Sequence, residues 1–325
     1  GDVYKRQVYG RIDQDIDRAI ELLEKARETT LAENNKSHIN LYVALGIKSR
    51  ACLAEGDWDG AFKAAKRVID EGGYAVGTKS DLTGGMNSLD KQNVMWGAGI
   101  QVADQAGGYA GFFTHMDNKE GAYAKSAPKL ISKQLYNRIS ATDIRRDWWD
   151  PSDKESPYVS KKFSFANVAS FLGDYIYMRV EEMYFTAAEA ALRLDDLKSA
   201  RELMNTVMAE RDPGYSANNR SGTLLGATTT TWTGSFLENI LTHRRIELWG
   251  EYGRLFDVRR LGQGIDRRTD DGFSEECISM MNRRNVNITK ADTYDWVLTI
   301  PKAELDANPN INEEDQNCLL YTSDA

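Results

Sequence analysis

LYVALGIKSRACLAEGDWDGAFKAAKRVIDEGG, residues 41–73, carries two apolar stripes with one turn between them. Leu41, Tyr42, Leu45, Ser49, Cys52 and Leu53 fall on one face of a first helix, and Ala61, Ala65, Val68 and Ile69 on one face of a second. Recurrence at three and four residues is what an α-helix with one buried face requires. Ser37 stands where it can cap the first helix, Gly56-Asp57 breaks it, and Gly72-Gly73 ends the second. The small Ser49 permits close approach of the two helices and Ala61 packs back onto the first, the grammar of a tetratricopeptide (TPR) pair. Trp58, in the turn, reads as helix packing.

The pattern extends outward in both directions. Ile12, Ile16, Ala19, Ile20, Leu23 and Ala26 stripe an upstream helix. Downstream, Tyr184, Ala188, Ala191 and Leu192 line one helix, Asp195-Asp196-Leu197 makes a turn, and Ala200, Met204 and Val207 line the next. The two pairs lie too far apart for an uninterrupted solenoid. The expected fold is mainly α: TPR-like pairs at 39–71 and 183–210 within helical regions 12–71 and 176–262. A loop-rich insertion over 73–173 holds a few short strands, one around 93–102, and a helix from Pro128 to about Ser140. Residues 215–234 read as a polar loop, Phe236 through Gly250 to Leu261 as one long helix, and 292–317 as an extended tail. A single domain then covers 8–317. Residues 1–7 and 318–325 read as non-native flanks of an incomplete gene, so the lack of a signal peptide says little about location.

Composition excludes several classes. The 325 residues are 41% apolar and 28% charged, which permits a sizeable core and rules out wholesale disorder. A net charge of −8 without a basic block argues against nucleic acid as a partner. No apolar run approaches the roughly 20 residues needed to cross a bilayer. Three scattered cysteines, Cys52, Cys277 and Cys318, form neither a disulfide framework nor a CxxC pair.

No catalytic constellation emerges. His38, His115 and His243 lack metal-ligand spacing, and there is no nucleophile elbow or phosphate loop. Gly97-Ala98-Gly99 lacks the third glycine of a dinucleotide loop. Neither cofactor nor metal is expected. A glycosidase would need two carboxylates across a cleft, which spacing cannot test, and Glu181-Glu182 and Asp195-Asp196 read as solvated helix surface.

Aromatic residues are the better signal. Trp96, Tyr109, Phe112, Phe113, Tyr123, Trp148, Trp149, Tyr158 and Trp232 lie in or beside glycine-rich and polar segments where burying every ring is difficult. A flat ring suits the C–H face of a sugar, and neighbouring amides and carboxylates suit its hydroxyls. Trp96 and Tyr109 are the expected stacking pair, flanked by Phe112, Phe113 and Tyr123, with Asp104, Gln105 and Asn118 as hydroxyl partners. Trp148, Trp149 and Trp232 form a second rank.

In order along the chain, several motifs resemble the SusD/RagB family of surface glycan-binding lipoproteins. They are Gly56-Asp57-Trp58 through Gly72-Gly73-Tyr74, Phe112 to Met116, Asp143 to Asp147, and Met178 to Tyr184 with Ala187 to Ala190. Arg244 to Arg254 with Asp257 to Gly262, and Ile300 to Pro309 with Gln316-Asn317, complete the set. Within them Glu247, Glu251, Arg254, Asp257 and Arg260 recur at helical spacing, so charge pairs can lock this helix while Ile246, Leu248, Leu255 and Phe256 pack inward.

The resemblance implies a SusD-like α-α superhelix and a non-catalytic protein that binds glycan at the cell surface. It further implies delivery to a SusC-like TonB-dependent outer-membrane transporter, and membrane attachment only through an N-terminal lipid anchor that this sequence lacks. It also offers Phe112, Phe113 and His115 a second role, pinning the loop to the helices. Competing readings are a helical glycoside-active enzyme, and a TPR scaffold that binds protein or peptide.

Overall fold

The computed structural model describes residues 2–27, 35–104, 111–266, 290 and 299–316. Helix α1 spans Asp2–Arg27, α2 Leu41–Glu55 and α3 Trp58–Glu71. Asn40, not Ser37, caps α2: its Oδ1 accepts the Val43 N–H at 2.9 Å. Ser37 lies three residues too early to reach that donor and instead accepts weakly from Gly99 N–H. Asp57 caps α3 through Gly60 N–H.

The second pair is α8, Val180–Arg193, and α9, Leu197–Ala209, with Asp196 as the α9 cap. Helix α3 packs directly on α8, so α1, α2, α3, α8 and α9 form one continuous stack although the sequence is interrupted between α3 and α8. Their shared core holds Leu45, Val68, Met183, Phe185, Ala188, Met204 and Val207, all under a tenth exposed. Ser49 is fully buried against α8, where its hydroxyl meets Met183 Sδ at 3.4 Å.

The intervening chain builds a second core from short pieces. These are α4 (Lys79–Thr83), β1 (Val94–Ala98), α5 (Phe112–Met116), α6 (Ala122–Ser126), α7 (Lys133–Tyr136), a 3₁₀ turn at Ile144–Trp148, β2 (Trp149–Asp150), β3 (Val159–Ser160) and β4 (Tyr175–Arg179). Leu82, Phe113, Leu135, Trp148, Trp149 and Phe163 fill this core, and Ile246 joins it from α10, Phe236–Glu247. The helix expected from Pro128 shrinks to α7. Residues 129–131 are drawn into extended pairing with 158–160, through Ser160 N–H to Lys129 O at 2.8 Å and Ile131 N–H to Tyr158 O at 3.2 Å.

The long helix expected over 236–261 is also two. Gly250 and Gly253 adopt φ of +75° and +104°, a left-handed backbone open to glycine at little cost, and α11 restarts at Arg254–Arg260. The break rotates α11, so Leu255 and Phe256 point outward, 58% and 55% exposed, whereas Ile246 is buried as expected. Charge pairs still hold α11: Arg260 grips Glu189 with two bonds of 2.7 Å, and Asp257 accepts from Arg244 and Arg260. The tail contributes a short helix, α12 (Lys302–Ala307), and no described helix is long and apolar enough to cross a membrane.

Candidate functional site

Strands β1 and β4 pair antiparallel with Trp96 opposite Met178 and Gly97 opposite Ile176. Along β4, Met178 and Arg179 are buried and Tyr177 is 41% exposed. The Trp96 and Tyr177 rings meet edge to face at 5.0 Å, forming one wall of a cleft.

The opposite wall comes from the glycine turn between α10 and α11. Tyr252, 41% exposed, lies under the Arg50 guanidinium at 3.9 Å and stacks on Phe256 at 5.5 Å. Gly250 makes room for this turn, since a Cβ there would fall 2.6 Å from the Phe163 ring. Phe112, Phe163, Tyr175, Ile176 and Met86 form the floor, and the enclosed volume is about 500 Å³. Phe112 is fixed by edge contacts to Phe113 and Phe163.

Beneath the floor is a buried ionic network. Glu247, fully buried, accepts hydrogen bonds from Arg145, Arg179 and Arg211 at 2.9–3.2 Å. Arg145 also pairs with Asp143, and Arg211 with Glu181. Glu251 takes Arg179 on both oxygens and Lys162 on one. Burial opposes ionisation of Glu247 and Glu251, but the surrounding cations win and hold both carboxyls below their usual range. Burial brings Lys162 down to about 8 against the pull of Glu251. Burial and the Arg145 charge keep His243 neutral, its Nδ1 accepting from Arg145 at 2.8 Å. Glu181-Glu182, read from sequence as solvated surface, are 0% and 2% exposed, because Arg179, Arg211 and Arg50 converge on them from other parts of the chain. Asp195-Asp196 stay at the surface, as that reading has it.

Of the residues singled out in the sequence, Trp96 and Phe112 meet in the cleft. Tyr109 and Gln105 lie outside the described residues. Phe113 is 1% exposed and Trp148 and Trp149 are 3% and 1%, so these rings pack the second core and have no face for a ligand. His115 and Tyr123 stack on one another at 4.6 Å, away from the cleft lining, which leaves His115 with no buried pinning role. Asp104 accepts from Gln101 N–H, and the Asn118 amide bonds to Lys129 N–H and Ser160 O. Trp232 sits under Arg138 at 4.0 Å, outside the cleft lining. A separate groove of about 680 Å³ includes Asn118 and several charged side chains, among them Lys119, Glu120, Asp150 and Asp153, with no exposed ring among its described lining residues.

Sequence reading missed Arg50, Tyr175, Tyr177 and Tyr252. The alternating Tyr175-Ile176-Tyr177 before a helix, and a tyrosine between Gly250 and Gly253, were the available signals. Chemically, the cleft offers flat apolar faces with few polar groups. Glu251 is the one carboxylate among its described lining residues, and its bonds to Arg179 and Lys162 keep it ionised.

No curated protein matches the chain. Solved structures do. A SusD-like carbohydrate binding protein from Bacteroides vulgatus is 25% identical with a TM-score of 0.71, over 94% of this chain and 67% of that one. A SusD superfamily protein from Bacteroides thetaiotaomicron is 23% identical with a TM-score of 0.72, over 96% and 66%. Surface glycan-binding protein A from Bacteroides uniformis is 18% identical with a TM-score of 0.59, over 96% and 68%. The chain thus spans about two thirds of the length of these structures. The SusD family model matches residues 114–319, which take in the second helix pair, the Glu247 hub and the Tyr252 wall of the cleft, and the chain belongs to the SusD family.

Proposed function

We propose that this chain is a non-catalytic glycan-binding protein that holds an oligosaccharide in the cleft between Trp96, Tyr177 and Tyr252. The observation that carries the reading is three aromatic side chains, two of them 41% exposed, converging on one cleft. Rings in this disposition stack on sugar faces without performing chemistry. Hydrolysis by the usual route needs a protonated acid and a second carboxylate, and Glu251 is held as an anion by two cations. Two of the similar solved proteins are described as carbohydrate- or glycan-binding, which supports the same class of ligand here.

The wider role follows the family: a lipid-anchored position on the outer-membrane surface, and transfer of the ligand to a TonB-dependent transporter. Affinity electrophoresis through polysaccharide gels, beside a reducing-sugar assay, tests the core of this. Retardation without sugar release, abolished by Trp96→Ala, is the expected result. Sugar release would favour an enzyme, and neither retardation nor release a protein scaffold.

A further inference from the structure

We propose that the cleft selects uncharged glycans and discriminates against uronate-bearing and sulfated ones. This deepens the glycan-binding reading and rests on it. Among the described lining residues of the cleft two are charged, Arg50 and Glu251, and the protein already supplies counter-charges to both. Arg50 donates from Nε and a terminal nitrogen to the two oxygens of Glu182, at 2.9 and 2.6 Å, and also to Tyr177 O at 2.8 Å. Tyr252 covers its guanidinium face, and 13% of its side chain is exposed. Glu251 has both oxygens engaged by Arg179 and one by Lys162.

A carboxylate or sulfate entering the cleft would therefore need a cation that is committed elsewhere. Drawing Arg50 toward the ligand would take the shortest contact from Glu182, itself 2% exposed, and breaking a buried pair is strongly unfavourable. Settling the anion against Trp96, Phe112 and Tyr175 without a partner would cost its hydration. At longer range the chain carries a net charge of −8, which repels polyanions before contact. A neutral sugar escapes these costs: its C–H face meets the rings, and its hydroxyls remain in water at the exposed rims of Tyr177 and Tyr252.

The test uses the full chain, titrated calorimetrically at low and high salt. One ligand set holds neutral oligosaccharides (gluco-, xylo-, manno- and galacto-), the other polygalacturonate, alginate and chondroitin sulfate fragments. Each titration is repeated with Trp96→Ala and with Tyr177→Ala, the latter altering a ring that is 41% exposed. The expected result is a neutral ligand bound at least about ten-fold more tightly than any charged one, with less than about a two-fold change on adding salt. Both variants lose that binding. A charged glycan as the tightest ligand, weakened by salt and lost in both variants, overturns this inference while leaving the glycan-binding cleft intact. Binding that survives both substitutions, or no binding to either set, overturns the cleft reading and this inference with it.

Discussion

The molecule places charge and apolar surface the opposite way round from a simple globule in two adjoining regions. Under the cleft floor, Arg145, Arg179, Arg211, Lys162, Glu181 and Glu247 are 0–2% exposed. On the cleft side, Tyr177 and Tyr252 are 41% exposed. The turn at Gly250 belongs to both: Lys162 holds it from below through Glu247 O, Trp249 O and Glu251, and Tyr252 rises from it above. The contrast separates two tasks. The ionic region fixes positions and offers no access, whereas the aromatic region presents the Tyr177 and Tyr252 rings to solvent.

Glu247→Gln breaks the comparison hardest. It keeps the shape and removes the charge shared by three arginines, so the expected loss is about 3–5 kcal/mol in urea denaturation. A change below about 1 kcal/mol would mean that the network is incidental.

Acid probes the same region more gently. Glu247, Glu251 and Asp257 have carboxyls held below their ordinary range by neighbouring arginines, despite burial. Their contribution is therefore complete above the unfolded-state value, about 4.3 for Glu and 3.9 for Asp, and is lost as pH falls through the depressed folded values. The thermal midpoint should begin to fall below about pH 6.5, where His243 gains a proton only in the unfolded chain, and fall more steeply below about pH 5 as the carboxylates follow. A midpoint that rises on acidification below that would reverse the sign and refute the account.

In the aromatic region the expected pattern is inverted. Tyr252→Ala should weaken glycan binding by about 1–3 kcal/mol, by analogy with bases stacked on aromatic rings, and leave the urea midpoint nearly unchanged. Loss of stability with binding intact would make Tyr252 a packing residue and erase the distinction.

The smallest effect sharpens the reading of the scaffold. Asn40→Ala should cost about 0.5–2 kcal/mol, while Ser37→Ala should cost much less, because Asn40 bonds the first turn of α2. Equal costs would return the cap to Ser37.

The scaffold was largely legible because helical periodicity is local. Val68 and Ala65 mark their face from three and four residues away, and Gly56 and Asp196 mark the ends of helices without reference to the rest of the chain. The ionic network was not legible, because Glu181 looks like any solvated acid until Arg179, Arg211 and Asn93 are brought to it by tertiary folding. The cleft lies between these extremes. Trp96 and Phe112 could be picked out by composition, but nothing local distinguishes Phe112, which lines the cleft, from Phe113, its buried neighbour. Tyr252 was hidden by a helical pattern that runs on through Gly250 and Gly253, whose positive φ values cancel it.

Gly97 sits between these regions and carries no side chain to be read at all. A Cβ there would lie 2.3 Å from the Tyr175 carbonyl oxygen and 2.4 Å from Leu89, and the first of these is backbone that cannot swing aside. Any substitution would prise β1 from β4 and so part the Trp96 and Tyr177 rings that the two strands bring together. In a genetic screen, this codon should therefore behave as part of the ligand site. Its missense variants would be recovered among those that fail to bind glycan, alongside those of Trp96, although the residue has no side chain with which to touch a sugar ring.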